Sequence, residues 1–275
     1  MMVNGGGRFG GTAFSDVGLL LTKADVPLLP ETKQFEDDIP GMDGMLDLGM
    51  EYGPRPINLT FQVLAKNGEG EYQTKLQQIA KMFAPHRGAQ PLILERAPGK
   101  QWLAKYNGTM SIERIAQLGE FTLPLKAHYP FASSVPDNQQ PLRLGLGYVI
   151  GMGYHLGMGP TGYSFPVTTS PRAFSVYHAG TYFAKPIIRI TGTGSNISIA
   201  NDTTAEAMMF NGALSGGDTL EIDCSRQRIT KNGVNAFAGF SGVYPRLAEG
   251  NNNFTITATA ANLTVVFIFR HTYLF

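Results

Sequence analysis

Alternation of apolar and polar residues is cleanest at Ile57-Asn58-Leu59-Thr60-Phe61-Gln62-Val63-Leu64, which keeps a period of two through Val63 and predicts a half-buried strand. Residues 13–22, ending on Val17-Gly18-Leu19-Leu20-Leu21, predict a strand before it. Between the two, residues 28–41 carry Pro30 near one end and Pro40 at the other. Proline holds itself and its predecessor extended, so this stretch predicts an arm or long hairpin outside the core. One helix follows over 71–83, where Tyr72, Leu76, Ile79 and Phe83 recur at steps of four, three and four along a single stripe. A turn at 67–70 precedes it and Pro85 ends it. Further strands are predicted at 91–96, 101–107, 109–117 and 120–127. Residues 1–131 therefore read as an α+β unit, an antiparallel sheet carrying one helix.

Residues 132–182 read as a glycine-rich linker or insertion. Leu144-Gly145-Leu146-Gly147, Ile150-Gly151-Met152-Gly153 and Leu156-Gly157-Met158-Gly159 repeat every six residues. Such a repeat suits a flexible loop, or a backbone that approaches a neighbouring subunit closely. From Phe183 onward short strands succeed one another at 186–190, 196–199, 219–223, 228–230, 234–237, 253–258 and 263–269. Lys231-Asn232-Gly233 is a hairpin signal between two of them. The pattern over 183–275 predicts an antiparallel β-sandwich.

Composition changes this picture in two respects. Charged residues make up 16% of the 275 positions, against about 25% in an average soluble protein, and 33 positions are glycine. A surface so poor in charge suits a subunit that covers much of itself with partners. The net charge of +1 lacks the basic excess that gripping nucleic acid by its phosphates, or an anionic membrane, requires. A single cysteine, Cys224, excludes an intrachain disulfide or a cysteine metal cage. The N-terminal residues lack the apolar core of a signal peptide, and the apolar run at 263–269 is too short to span a bilayer, so synthesis in a cytoplasm is expected.

The search for chemistry yields little. Glu36, Asp37, Asp38 and Asp43 are followed by Ile39-Pro40 where a calcium loop needs alternating acids and a glycine, so a solvated turn on the arm is expected. His86, His128, His155, His178 and His271 show no metal-binding spacing and read as scattered structural or surface residues. Gly145-Leu146-Gly147-Tyr148-Val149-Ile150-Gly151 has one residue too many for a dinucleotide loop. Gly239-Phe240-Ser241-Gly242 breaks the nucleophile-elbow spacing, and Cys224 reads as a buried thiol at a strand end. No catalytic residue, cofactor or metal is expected. Trp102 reads as core, while Tyr244 and Tyr273 are the candidate aromatic contacts for a glycan on the sandwich.

Taken in order, several segments resemble one family. They are the strand through Leu19-Leu20-Leu21, the proline-flanked arm, and Gly53-Pro54-Arg55-Pro56-Ile57-Asn58-Leu59-Thr60-Phe61. Next come the helix with Ile79-Ala80-Lys81-Met82-Phe83 and the close Leu123-Pro124-Leu125-Lys126-Ala127-His128-Tyr129-Pro130-Phe131-Ala132. Farther on stand Asp218-Thr219-Leu220-Glu221-Ile222-Asp223, Ile229-Thr230-Lys231-Asn232-Gly233-Val234-Asn235 and Gly250-Asn251-Asn252-Asn253-Phe254-Thr255-Ile256. Together these resemble the distal tail proteins (Dit) of siphophages over roughly 1–131 and 183–275. Tyr129 stands where the family often has an acid. The resemblance implies a non-enzymatic virion protein of the tail tip or baseplate, with a ring-forming N-terminal domain and a galectin-like C-terminal sandwich. It further implies a homo-hexameric ring, single or back-to-back, around a lumen that passes DNA. The tube's major tail protein would sit on one face and a tail-associated lysin or fibre protein on the other, with receptor-binding or baseplate proteins outside. Leu28, Leu29, Phe35 and Ile39 on the arm are the candidate interface residues. The alternative reading is a carbohydrate-binding module for host-wall polysaccharide, and a tail hydrolase is a more distant third.

Overall fold

The computed structural model describes residues 6–41, 43–64, 69–109, 113–115, 118–140, 151–154 and 163–275. The glycine repeat lies outside the described residues except at 151–154, as do part of the 67–70 turn and part of the 109–117 strand. The chain divides into two units, Met1–Ala132 with Leu274–Phe275, and Ser133–Tyr273. Among the described residues no helix is long and apolar enough to cross a membrane.

The first unit contains β1 (Gly7–Phe9), β2 (Thr12–Ala13), β3 (Leu19–Asp25), β4 (Thr32–Asp37), β5 (Leu46–Tyr52) and β6 (Arg55–Leu64). Helix α1 (Glu69–Met82) and strands β7 (Gln90–Leu94), β8 (Lys100–Tyr106), β9 (Glu113–Ile115) and β10 (Leu118–Ala127) complete it. The antiparallel sheet runs β2-β1-β7-β8-β10-β6-β3 with β9 beside β10, and β4-β5 form a separate two-stranded ribbon. The alternation in β6 is realised: Ile57, Leu59, Phe61 and Val63 are fully buried while Asn58, Thr60 and Gln62 are not. β6 pairs with β10 over ten residues, from Leu64 opposite Leu118 to Arg55 opposite Ala127. That register sets Phe61 against Phe121, with ring centroids 5.6 Å apart. Helix α1 contributes Tyr72, Ile79 and Met82 to this core, and Phe83 just beyond it meets Phe9 at 5.0 Å.

The strand expected over 13–22 is not continuous. Phe14–Val17 form one 3-10 turn, closed by Gly18 at φ +69°, and the strand begins at Leu19. The turn sends Phe14 inward, its ring 4.9 Å from Phe61, a burial that an extended chain would not achieve at this position.

Strand β11 (Ala132–Ser134) begins on the last residue of the first unit's main stretch, and the second unit goes on with β12 (Ser164–Val167), β13 (Arg172–His178), β14 (Ile187–Asn201), β15 (Glu206–Leu214) and β16 (Thr219–Asp223). They continue with β17 (Arg228–Lys231), β18 (Val234–Asn235), β19 (Phe240–Gly242), β20 (Gly250–Ile268) and β21 (Thr272–Tyr273). This is an antiparallel β-sandwich organised on two long strands. The first part of β14 and the last part of β20 pair in a layer with β12, β16, β17 and β18. The other halves of the same strands pair in a layer with β13, β15 and β19. Ladder irregularities at Thr193, Ser195 and Ser198 mark the passage between layers. Ile188, Ile190, Ile197, Ile199, Phe254, Ile256, Val265 and Phe267 fill the space between them.

Four expected strands thus merge into two. Gly192, Asn196 and Ala260 all have positive φ, yet they bend and bulge a continuing strand rather than reverse it. Gly192 is the tightest of them. At φ +112° a Cβ there would also lie 2.2 Å from the Asn262 carbonyl oxygen. Gly192→Ala is expected to cost about 2–4 kcal/mol through strain and overlap together. A fall in the urea midpoint of the second unit checks this, and an unmoved midpoint would contradict it.

The insertion expected over 132–182 also needs correction. Its later part holds β12 and β13, which pair with opposite ends of β20 and belong to the sandwich. Pro166, Pro171 and Gly180 give that stretch the look of a loop. The predicted hairpin at Lys231-Asn232-Gly233 is present, with Asn232 and Gly233 at φ 53° and 79°.

Candidate functional site

Among the described residues of the first unit, the β4–β5 ribbon stands out as exposed along its length. Every residue of Thr32–Asp37 is exposed, and so is every residue of β5 before Tyr52. Leu46, Leu48 and Met50 alternate along β5, and all three are exposed, Leu48 at 60%. The four arm residues singled out from sequence lie here: Phe35 on β4, with Leu28 (67% exposed), Leu29 and Ile39 flanking it. Sequence reading missed the second strand of the ribbon, although Leu46-Asp47-Leu48-Gly49-Met50-Glu51 alternates as cleanly as β6 does. A free two-stranded ribbon is marginal in water, and contiguous exposed apolar residues of this kind mark a contact surface. The ribbon is also acidic. Residues 31–51 hold seven carboxylates and one lysine, a net −6 that leaves the rest of the chain at +7.

The root of the ribbon is firmly held. Gly53 N–H donates to the Glu31 carbonyl at 2.7 Å, and Tyr52 meets the edge of Phe131 at 5.5 Å. Arg55 shares the inward face of β6 with Ile57 and Leu59 and is 0% exposed. Its Nε donates to the Pro130 carbonyl at 2.7 Å, Nη1 to those of Pro27 and Leu28, and Nη2 to that of Leu274. Its guanidinium also lies 5.8 Å from the Phe275 ring, which packs on Trp102. Burial pulls the Arg55 pKa down, and carbonyl dipoles take the place of water around the charge.

In the second unit an open cleft of about 590 Å³ is lined by Lys185, Glu206, Gln227, Phe237, Phe240 and Tyr244, among others. Phe237, Phe240 and Tyr244 stack in a column, with centroids 5.6 and 4.4 Å apart. The Glu206 carboxylate accepts from Arg246 Nε at 2.6 Å, from the Arg246 N–H at 2.7 Å and from the Thr204 hydroxyl at 3.0 Å. The Tyr244 hydroxyl is shielded from solvent and has no hydrogen-bond partner among the described residues. Cys224 also lines the cleft, and burial pushes its thiol up to about 12, leaving no thiolate for nucleophilic chemistry at neutral pH. Tyr273, the other expected glycan contact, offers no such surface. It is 3% exposed and its hydroxyl donates to the Met152 carbonyl.

Two histidines expected to be scattered come together instead. His178 and His271 stack with centroids 5.4 Å apart and their Nδ1 atoms at 3.1 Å. The Ala179 N–H donates to His271 Nδ1 at 3.0 Å, and His178 Nε2 lies 2.8 Å from the Tyr182 carbonyl. Those contacts assign a bare Nδ1 to His271 and a protonated Nε2 to His178. Glu36, Asp37 and Asp38 stand exposed on or beside the ribbon. Among the described residues no three His, Cys, Asp or Glu side chains gather as a metal site would need.

Residues 19–127 match the family model described as a phage tail protein RIFT-related domain. Residues 179–273 match the model for the C-terminal domain of a siphovirus-type tail component. Among solved structures, the chain is similar to the Dit protein of phage SPP1, described as a paradigm of the hub adsorption apparatus in phages infecting Gram-positive bacteria. The identity is 14%, the match covers 96% of this chain and 98% of that one, and the TM-score is 0.68. Chains of the phage p2 baseplate in its activated conformation, with strontium and with calcium, align at 9% identity. They cover 97% of this chain and 97% and 98% of their own, with TM-scores of 0.45 and 0.44. No curated protein matches the sequence.

Proposed function

The chain belongs to the siphophage distal tail protein family, and from that premise we propose that six copies close into a ring joining the tail tube to the tail-tip apparatus. The coarser role, a structural component of the phage tail and its baseplate hub, follows from the family itself. The observation that carries the finer reading is the β4–β5 ribbon. It projects apolar residues that no described residue covers, and it is acidic while the remainder of the chain is basic. A head-to-tail ring satisfies both conditions, because each copy offers its acidic ribbon to the basic body of the next. The near-neutral total charge suits a lumen through which DNA slides, since the acidic ribbons offset the basic bodies around the ring and little net positive charge is left to hold phosphates. In this reading the tube protein and a tail-associated lysin or fibre protein occupy the two faces, receptor-binding proteins attach outside, and the location is the virion tail tip.

Light scattering at low and high salt tests the ring. The expected mass is that of six subunits, or twice that for back-to-back rings, with assembly weakened as salt rises because the contact is partly electrostatic. Leu48→Glu is expected to reduce the mass to one subunit while leaving the unfolding transition in place, since Leu48 makes no core contact. A wild-type monomer at both salt concentrations, or a ring unaffected by Leu48→Glu, would defeat the proposal.

A further inference from the structure

We propose that the cleft in the second unit binds a neutral pyranose sugar, with Phe237 as the platform and the Glu206–Arg246 pair, Lys185 and Gln227 as the polar rim. The lining selects among ligand classes. An apolar occupant would desolvate a carboxylate, a guanidinium, an ammonium and an amide without replacing their hydrogen bonds. A strongly acidic one would meet Glu206, and a strongly basic one would meet Arg246 and Lys185. A pyranose avoids all three penalties. One of its faces is a patch of C–H groups that lies flat on an aromatic ring, and its equatorial hydroxyls both donate and accept.

The site is built for that geometry before any ligand arrives. Phe237 is 54% exposed at the end of the stacked column, and Phe240 and Tyr244 fix its position from behind. Three hydrogen bonds hold the Glu206 carboxylate, and the Arg246 guanidinium lies 4.6 Å from the Phe183 ring, so neither group must be ordered on binding. The volume of about 590 Å³ accommodates one or two sugar rings.

Saturation-transfer NMR on the full chain with lactose, maltose and N,N′-diacetylchitobiose tests the proposal. Transfer to the ring C–H protons of at least one disaccharide is expected. Phe237→Ala and Lys185→Met should each reduce it at least tenfold while the second unit still unfolds cooperatively, Phe237→Ala at a slightly lower midpoint because about half of its ring is buried. No transfer from any of the three sugars, or a signal indifferent to both substitutions, would overturn the assignment. Ring mass by light scattering is expected to be the same in both variants, so failure here is separable from failure of the hub reading.

Discussion

Replacing Arg55 with leucine is expected to destabilise the first unit by roughly 3–5 kcal/mol. The guanidinium serves four main-chain carbonyls from three separate stretches of chain: Pro27 and Leu28 before the ribbon, Pro130 after β10, and Leu274. Leucine would fill part of the space and remove a buried charge, yet it would leave those acceptors without donors, at about 1–3 kcal/mol for each that stays dry. Arg55→Lys is expected to recover little. An ammonium cannot spread donors across a plane to reach carbonyls on three sides, and it retains the cost of burial. The single tryptophan, Trp102, is buried in this unit, so its fluorescence reports the first unit's unfolding in urea. A midpoint shift equivalent to less than about 1 kcal/mol would show that water replaces the guanidinium at little cost. Because Arg55 also holds the carbonyls at the ribbon's root, a partly stable variant should show weakened assembly as well.

Acid is expected to unfold the second unit well before carboxylate protonation becomes general. His178 and His271 are buried against each other and against Phe269, and among the described residues no carboxylate bonds to either ring. Burial pulls His178 down to about 4, and burial together with the neighbouring His178 pulls His271 down to about 3, from 6.5 in an exposed histidine. Both folded values lie below the unfolded one, so the unfolded chain binds more protons as pH falls below 6.5. The stability associated with the neutral pair is therefore complete above that pH and drains away toward the folded values. With two protons the slope approaches about 2.7 kcal/mol per pH unit, and the loss between about pH 6.5 and 4.5 is about 4 kcal/mol. Urea midpoints followed by circular dichroism across this window provide the measurement. The double variant His178→Gln, His271→Gln should flatten the slope whatever it does to absolute stability. An equally steep slope in that variant would place the acid sensitivity elsewhere.

Legibility from sequence varied with how local the cause was. The period of β6, the stripe of α1 and the Asn232-Gly233 turn rest on interactions within a few residues, and each is present, the helix starting two residues earlier and ending one earlier than its pattern suggests. Phe14 turning into the core, and the continuity of β14 and β20 through Gly192 and Ala260, depended on which distant strand was available to pair or pack. Nothing near Gly192 distinguishes a strand that ends from one that bends into the other layer of a sandwich. The arm was visible through its prolines, yet its second strand was missed because exposed alternation has the same period as buried alternation.

The sites follow the same division. Periodicity, turn chemistry and composition act over short range, and they suffice for a mostly antiparallel β chain with one helix, a protruding arm, a low-charge surface and a family resemblance. Long-range packing alone sets Arg55 among four carbonyls, stacks His178 on His271 across 93 positions, and lines a cleft with Tyr244 while burying Tyr273. Those outcomes turn on which polar group is removed from water and which partner replaces it, and that exchange exists only once distant segments have packed.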